Sequence, residues 1–311
     1  MELKHIRVFV AAFDEGSINR AAQRLGSSQP RVSALIRSLE HSLQTTLFQR
    51  RSTGIVPTPE GESFYRHAQR MLAELDAAQR AISARQGTLA GPLRVGLAPT
   101  ITEGILPDIL PGFLDAHPAI DFKMTEGFSG KLIDWTLAGE IDFAIVAIPP
   151  NDRRLRTRRI ASEPVVLVTA QDRGPAATQG LHLQDGPPLH LALPWASNSL
   201  RQILDRFIGS GQIPVARIVE MDSLWGILDL VHGGGWETLL PPSALRNLDG
   251  PLRALPVADP HIWLEFFQIS PARAALSEAA RVFTDLVIAG FEASAARRPP
   301  GLRTTLPPPA P

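Results

Sequence analysis

The sequence predicts an α/β protein in two parts that are joined by one long helix. Up to about residue 43 the apolar side chains recur at helical spacing, whereas beyond residue 91 continuous apolar stretches alternate with amphipathic helices. The length of 311 residues also exceeds the usual size of one compact domain. Continuous apolar strands separated by helices predict a parallel sheet that is covered on both faces.

Three short helices are predicted at the start of the chain. The first carries one apolar stripe and ends at Gly16, where the helical period stops. The second runs over residues 18–25, and the third begins at Ser28 or Gln29 after a Gly-Ser-Ser break. A short helix, a tight turn and a further helix make the outline of a helix-turn-helix over residues 18–37.

A two-stranded wing and a long helix are predicted next. Residues 45–57 lack a helical period and hold β-branched and aromatic residues around a polar tip, which completes a winged helix-turn-helix over residues 1–58. Thr58-Pro59-Glu60 is a strong helix start. Apolar residues then recur about every 3.5 positions, which predicts a linker dimerisation helix over residues 59–88. Packing of this stripe against its own domain is the alternative.

Strands and helices are predicted to alternate after the small-residue linker at residues 86–92. The first strands are expected near residues 93–98, 120–125, 141–148 and 164–168. The last segment, residues 297–311, contains six prolines and little apolar matter, so it is predicted to be a disordered tail.

Composition and charge narrow the function classes. The chain has no cysteine, which removes disulfides, cysteine nucleophiles and thiolate metal sites. The formal net charge is zero, yet residues 1–90 carry 12 Lys and Arg against 8 Asp and Glu. This basic front permits nucleic-acid binding at the N-terminus. The chain lacks a membrane-length apolar run and a secretory signal, so we expect a cytoplasmic protein.

An ordered set of residues runs through roughly the first 65 positions. Its members are Phe9-Val10, Glu15-Gly16-Ser17, Ala21-Ala22, Leu25, Ser28-Gln29-Pro30, Val32-Ser33, Ile36, Leu39-Glu40, Leu47-Phe48, Arg50 and Thr58-Pro59-Glu60-Gly61. This set resembles the winged helix-turn-helix of the LysR-type transcriptional regulators. Looser matches to the effector-binding region of that family are Gly91-Pro92-Leu93, Gly139-Glu140-Ile141-Asp142 and Asp222-Ser223.

The resemblance implies a ligand-responsive transcription regulator and not an enzyme. It implies a homodimer through the linker helix, and a homotetramer, on an interrupted inverted repeat of double-stranded DNA, with RNA polymerase as a further candidate partner. Residues 91–296 would resemble the type 2 periplasmic binding-protein fold. The first subdomain would combine residues 91–162 and 268–296, and the second would span residues 163–267. No cofactor is implied besides an unknown small-molecule effector.

The candidate base contacts lie at the start of the third helix. Helix-turn-helix proteins place side chains from that end of the helix against base edges. The Gln29 amide suits adenine and the Arg31 guanidinium suits guanine, while the resemblance also places Pro30 at this end. The predicted phosphate contacts are Ser28, Ser33 and Arg37. An exposed polar face that merely contacts water is the alternative.

The wing adds further candidates. Arg50, Arg51 and Thr53 are the predicted wing contacts, although Arg50 could equally anchor the wing internally. Ala34-Leu35 departs from the family pattern, because relatives usually carry larger polar residues there. A phosphate or base contact is therefore expected to be missing, which shifts the burden to Arg31, Arg37 and the wing.

The candidate effector contacts follow predicted strands, at the starts of helices where small anions bind. They are Thr100, Thr102, Ser129, Ser197, Asn198 and Ser199. Such a set predicts a small, anionic effector. Plain helix capping is the alternative, since these residue types cap helices in all kinds of proteins.

Two other protein classes and a metal site receive less support from the sequence. A solute-binding protein of transport does not explain the N-terminal unit, and an α/β enzyme lacks a supporting motif. The eight histidines show no metal-ligand spacing, so no metal is expected. The arginines of residues 153–159 are expected in a connection, on a solvated or partner-facing surface.

Overall fold

The computed structural model describes residues 1–51, 54–84, 89–172, 180–245 and 251–296. Thr53, residues 86–88 of the predicted linker and the tail at residues 297–311 therefore lie outside the described residues. The chain forms two compact units, an N-terminal unit of residues 1–82 that also includes residues 138–140, and a C-terminal unit that begins at residue 83. No helix in the described ranges is long and apolar enough to cross a membrane.

The N-terminal unit contains three helices, a β-hairpin and one long helix. The helices are α1 (Leu3–Glu15), α2 (Ile18–Arg24), α3 (Gln29–Leu43) and α4 (Pro59–Ala84), and the hairpin pairs β1 (Phe48–Arg51) with β2 (Gly54–Pro57). Ser17 begins α2, because its hydroxyl accepts a hydrogen bond from the Arg20 amide. The helix-turn-helix and its wing are present where the apolar spacing predicts them.

An aromatic cluster forms the core of this unit. Phe9 on α1 is fully buried, and its ring lies 5.2 Å from that of Phe48 and 5.0 Å from that of Phe64, measured between centroids. Leu39 and Leu47 are also buried in this cluster. The start of α4 is thus fixed to α1, α3 and the wing by shared apolar contacts.

The wing is anchored at one glycine. The Ile55 amide donates a hydrogen bond of 3.1 Å to the Gly16 carbonyl oxygen. A Cβ at Gly54 would lie 2.5 Å from that same oxygen, and the φ of Gly54 is +136°, where other residues are strained. Glycine therefore lets the hairpin approach the turn between α1 and α2.

Helix α4 divides its apolar stripe between two environments. The Thr58 hydroxyl caps the helix by accepting a hydrogen bond of 3.0 Å from the Gly61 amide. Phe64 and Ala68 pack into the aromatic cluster of their own unit. Met71 and Ala78, farther along the stripe, are exposed. The first turns thus follow the alternative of packing within the unit, whereas the stripe is exposed at Met71 and Ala78.

The C-terminal unit contains two sheets. The first has the strand order β4-β3-β5-β13-β6 and is made of β3 (Gly91–Leu97), β4 (Ile120–Glu126), β5 (Phe143–Val146), β6 (Leu155–Pro164) and β13 (Trp263–Pro271). Helices α5 (Pro99–Gly104), α6 (Leu106–Ala116), α7 (Ser129–Ala138) and α10 (Glu278–Ala296) accompany it. Fully buried phenylalanines, including Phe113, Phe143 and Phe283, fill its core.

The second sheet has the strand order β10-β9-β11-β7-β12-β8. Its strands are β7 (Val166–Thr169), β8 (Leu181–His182), β9 (Leu189–Leu193), β10 (Val215–Glu220), β11 (Glu237–Leu240) and β12 (Arg253–Asp259). Helices α8 (Ser199–Gly209) and α9 (Leu224–His232) accompany this sheet. In the first sheet, β3 pairs parallel with β4 and β5, and β13 pairs antiparallel with β5 and β6. In the second sheet, β9 pairs parallel with β10 and β11, and β7 pairs antiparallel with β11 and β12.

Three sequence expectations differ from this arrangement. The sheets are mixed rather than parallel, because β13 returns antiparallel between β5 and β6. The arginine-rich segment is not a connection but part of β6, where an edge position lets Arg156 and Arg158 remain exposed. Strand β13 enters the first sheet at Trp263, earlier than the boundary at residue 268. Continuous apolar runs do not reveal strand direction, which explains the first difference.

Candidate functional site

The N-terminal end of α3 presents an exposed polar tip. Ser28, Gln29, Pro30 and Arg31 are all exposed, while Val32 on the opposite side of the helix is fully buried. Helical spacing produces this division, because the residues that pack on α1 recur every three or four positions. The buried residues of α3 therefore hold the helix in place, while its N-terminal tip remains exposed to solvent.

The structure separates the other two predicted contacts on α3. Arg37 is exposed, but Ser33 is only 4% exposed and lies on the packed side of the helix. Ser33 therefore does not share the exposed face, and its predicted phosphate contact is not supported. Ala34 is exposed and Leu35 is half-buried against the core, so this pair adds no polar group to the face.

The wing places one described arginine on the surface. Arg51 ends β1 and is exposed, and Arg50 precedes it in the same strand. The structure does not describe the side chain of Arg50, and Thr53 lies outside the described residues. Of the predicted wing contacts, Arg51 is thus the one whose side chain is described.

The basic side chains of this unit fall into two groups. Arg24 is paired with Asp14 at 3.1 Å and with Glu15 at 3.4 Å, so its charge is largely neutralised within the fold. Across the described ranges, no carboxylate lies within ion-pair distance of Arg31, Arg37 or Arg51. These three guanidinium groups remain available for an external anion such as a phosphate.

A cavity of about 440 Å³ lies between the two sheets of the C-terminal unit. Its apolar wall is formed by Phe128, Trp135, Met221, Leu224, Ile227, Leu240 and Leu264. Its polar lining includes Thr100, Glu103, Glu126, Ser129, Lys131, Asn198, Ser199, Asp222 and Ser223. The volume and the mixture of apolar and polar walls suit a small organic molecule.

Two buried hydroxyls connect the subdomains at this cavity. The Ser199 hydroxyl at the start of α8 donates a hydrogen bond of 2.8 Å to the Ser129 hydroxyl at the start of α7. The Ala147 amide donates a second bond of 3.2 Å to Ser129. Asn198 caps α8 by accepting a bond of 2.8 Å from the Leu200 amide. Asn198 therefore both caps a helix and lines the cavity, so helix capping and effector contact do not exclude each other here.

Two predicted effector residues do not line the cavity. Thr102 turns back along its own helix, where its hydroxyl bonds to the Pro99 carbonyl at 3.0 Å and to the Glu126 carboxylate. Ser197 is exposed and lies outside the lining. Both residues belong to the correct segments, but the direction of a side chain at a helix start does not follow from the sequence alone.

The sequence interpretation missed the charged lining. Among the described lining residues, Glu103, Glu126 and Asp222 contribute three carboxylates, whereas Lys131 is the one basic residue. Burial raises the pKa of Glu103 above its usual range, and the nearby charge of Glu126 raises it further. Such a lining does not favour the anionic effector that the hydroxyls alone suggest. The position of Glu126 and Asp222 just at the ends of β4 and β10 could have revealed it.

Metal binding receives no support from the described side chains. Among the residues that the structure describes, no group of three or more His, Asp or Glu side chains is placed to hold a metal ion. The carboxylates of the cavity therefore do not form a metal-ligand set.

Two family models match the chain, one for each unit. The model described as "Bacterial regulatory helix-turn-helix protein, lysR family" matches residues 3–62. The model described as "LysR substrate binding domain" matches residues 86–292. The exposed tip of α3 lies in the first match and the cavity lies in the second.

Individual relatives cover most of the chain. It is 31% identical over 245 residues to a probable hydrogen peroxide-inducible genes activator of Streptomyces viridosporus, with 78% of each chain covered. It is 30% identical over 249 residues to the HTH-type transcriptional regulator YofA of Bacillus velezensis, with 79% of this chain and 83% of that protein covered.

Solved structures share the fold. A full-length OxyR variant from Pseudomonas aeruginosa matches with a TM-score of 0.73 at 24% identity, with 99% of both chains covered. Full-length CbnR complexed with its target DNA matches with a TM-score of 0.65 at 22% identity, with 93% of this chain and 100% of that chain covered.

Proposed function

The chain belongs to the LysR family of transcriptional regulators, and from that premise we propose that the α3 tip reads DNA while the cavity binds the effector. Gln29 and Arg31 would contact base edges in the major groove, and Arg37 and Arg51 would contact phosphates. The observation that carries this assignment is the exposed tip of α3, together with the absence of an ion pair to Arg31, Arg37 or Arg51 among the described residues. The regulator would act in the cytoplasm, where the DNA lies.

Ala34 gives the proposed interface an apolar element. It is exposed one helical turn after Pro30 and one before Arg37, so it lies on the same face of α3. An exposed methyl group on a recognition helix can contact the methyl group of thymine. The departure from the family pattern would thus change which base is read at that point.

The apolar surface of α4 supports a two-fold assembly. Met71 and Ala78 are exposed at helical spacing, which suits pairing with the same helix of a second copy. A dimer would present two recognition helices to two half-sites of an inverted repeat. Two such dimers would form a tetramer, and contact with RNA polymerase would couple it to transcription.

The effector signal would be a bound molecule and not the oxidation of a thiol. One relative is named for induction by hydrogen peroxide. This chain has no cysteine, so it cannot form a sulfenic acid or a disulfide. The cavity would instead change the populations of two subdomain arrangements when a ligand binds.

The base and phosphate roles predict different results for two substitutions. Gln29→Ala should reduce discrimination between operator variants by about 1–3 kcal/mol, because it removes a base contact. Arg51→Ala should weaken binding to all sequences by a similar factor, because phosphates carry no sequence information. Gel-shift titrations of the full chain on its own promoter region and on single-base variants measure both effects.

Gln202→Ala provides the control for these titrations. Gln202 is an exposed glutamine on α8 of the C-terminal unit, outside the cavity lining, so its removal should leave DNA affinity unchanged. Equal losses on every DNA sequence for Gln29→Ala and Arg51→Ala would reject the proposed division of roles.

A further inference from the structure

We propose that the effector of this cavity is an organic cation, an amine whose ammonium group is attracted by the carboxylates of Glu103, Glu126 and Asp222 while its apolar body contacts the apolar wall. This inference rests on the proposed function, since it takes the cavity as the effector site. The sequence analysis predicts a small anionic effector from hydroxyl residues at helix starts, whereas the ligand proposed here is positively charged.

The three carboxylates lack a cationic partner. In the described part of the chain, no Lys, Arg or His nitrogen lies within ion-pair distance of Glu103, Glu126 or Asp222. Among the described residues, Glu126 accepts a hydrogen bond only from the uncharged Thr102 hydroxyl. Burial and the charge of Glu126 both raise the pKa of Glu103, as expected when neighbouring carboxylates repel each other. A bound ammonium group would relieve this repulsion.

The two nearby cations already have contacts within the fold. Lys131 has its ammonium nitrogen 5.7 Å from the ring centre of Trp135 on the same helix. Arg201 is buried behind the lining, where it bonds to Asp205 at 2.6 Å and to Glu220 at 2.7 Å. In the described lining, a carboxylate or phosphate ligand would therefore meet three carboxylates and one lysine.

The apolar part of the lining indicates that the rest of the ligand is apolar. Leu224, Ile227 and Leu264 offer apolar contacts, and the cavity of about 440 Å³ is large enough for a drug-sized organic body. A bare metal ion would leave these surfaces unused, and the described carboxylates do not form a set of three metal ligands. An amine with an aliphatic or aromatic body can pair with the carboxylates and also contact the apolar side chains.

The test compares ammonium compounds with their carboxylate analogues. The probes are butylammonium and pentanoate, 2-phenylethylammonium and 3-phenylpropanoate, and 1,4-diaminobutane and adipate, each titrated into the full chain. Trp135 lines the cavity, so tryptophan fluorescence reports binding, and the thermal midpoint of unfolding provides a second readout. At least one ammonium compound should bind more tightly than its carboxylate analogue.

Substitutions distinguish the role of each charge. Glu103→Gln and Asp222→Asn should each weaken binding of that ammonium compound by about tenfold, and Lys131→Gln should leave it unchanged or tighten it. Glu292→Gln, at an exposed carboxylate of α10 outside the lining, should have no effect. The unfolding midpoint of each ligand-free variant checks that the fold is retained.

Three results would overturn the cationic assignment. These are tighter binding of the carboxylate analogues, loss of binding in Lys131→Gln but not in Glu103→Gln, and no binding of any ammonium probe to the wild-type chain. In each case, retained binding to the promoter region would leave the regulator function intact. Failure of the wild-type chain to bind that DNA would instead reject the regulator function itself.

Discussion

Gly104→Ala is expected to lower the free energy of unfolding of the C-terminal unit by about 3 kcal/mol, at the upper end of usual overpacking costs. A Cβ at Gly104, the last residue of α5, would lie 1.5 Å from the Ser243 carbonyl oxygen. The Ser243 backbone cannot easily retreat, because its amide donates a buried hydrogen bond of 3.1 Å to Glu163. Backbone must therefore shift on one side of the contact.

Gly104→Ala should change the cavity as well as the stability of the unit. Thr100 and Glu103 lie on the same short helix as Gly104 and line the cavity. Displacement of α5 from the segment Pro242–Ala244 would move these side chains relative to the second sheet. We therefore expect ligand binding to weaken in Gly104→Ala even at temperatures at which the chain remains folded.

A second glycine provides the matched control. Gly112 lies inside α6, and a Cβ there would meet nothing within 4 Å. Gly112→Ala should stabilise the unit by about 0.5–1 kcal/mol, because alanine loses less backbone entropy in a helix. All five tryptophans lie in the C-terminal unit, so urea unfolding followed by tryptophan fluorescence measures both variants. Similar small changes for the two variants would contradict the close contact at Gly104.

Phe9→Ala is expected to lower the free energy of unfolding of the N-terminal unit by about 3–5 kcal/mol. Phe9 is fully buried and contacts the rings of Phe48 and Phe64. Truncation removes the apolar surface that joins α1, the wing and α4, and it leaves a cavity at the centre of the cluster. Because α3 packs on the same core, the variant should also lose DNA affinity.

The two units can be measured separately in the full chain. Amide hydrogen exchange in α1 to α3 should rise by two to three orders of magnitude or more in Phe9→Ala, as expected for about 3–5 kcal/mol. The tryptophan-monitored transition should stay unchanged, because residues 1–82 contain no tryptophan. Leu3→Ala, an exposed truncation on the same helix, should change stability by less than about 0.5 kcal/mol. Unchanged exchange in Phe9→Ala would contradict the role of the cluster.

The sequence predicted the DNA-facing unit well because its signals are local. The apolar stripe, the Ser17 cap and the proline in the first turn of α3 each act within a few residues. The packed position of Ser33 was missed, since its side of the helix depends on how α3 rests against α1. A helical period gives the width of the buried face but does not fix its exact edge.

The cavity was harder to predict because it is assembled from distant segments. Ser129 and Ser199 are 70 positions apart, yet their hydroxyls form one hydrogen bond. The hydroxyl residues can be recognised in the sequence because they stand at predicted helix starts. That Glu103 and Asp222 line the same cavity follows only from the arrangement of both sheets. Similarly, β6 was not recognised because its arginines suit an exposed edge strand and a loop equally well.

The salt dependence of binding to the promoter region tests most directly whether the α3 tip and the wing hold two half-sites of one duplex. The logarithm of the association constant should fall linearly with the logarithm of salt concentration, and Arg51→Ala should reduce that slope by about 1. DNA with two half-sites should bind more tightly than DNA with one. Binding that ignores salt, with equal affinity for both DNAs, would contradict the account.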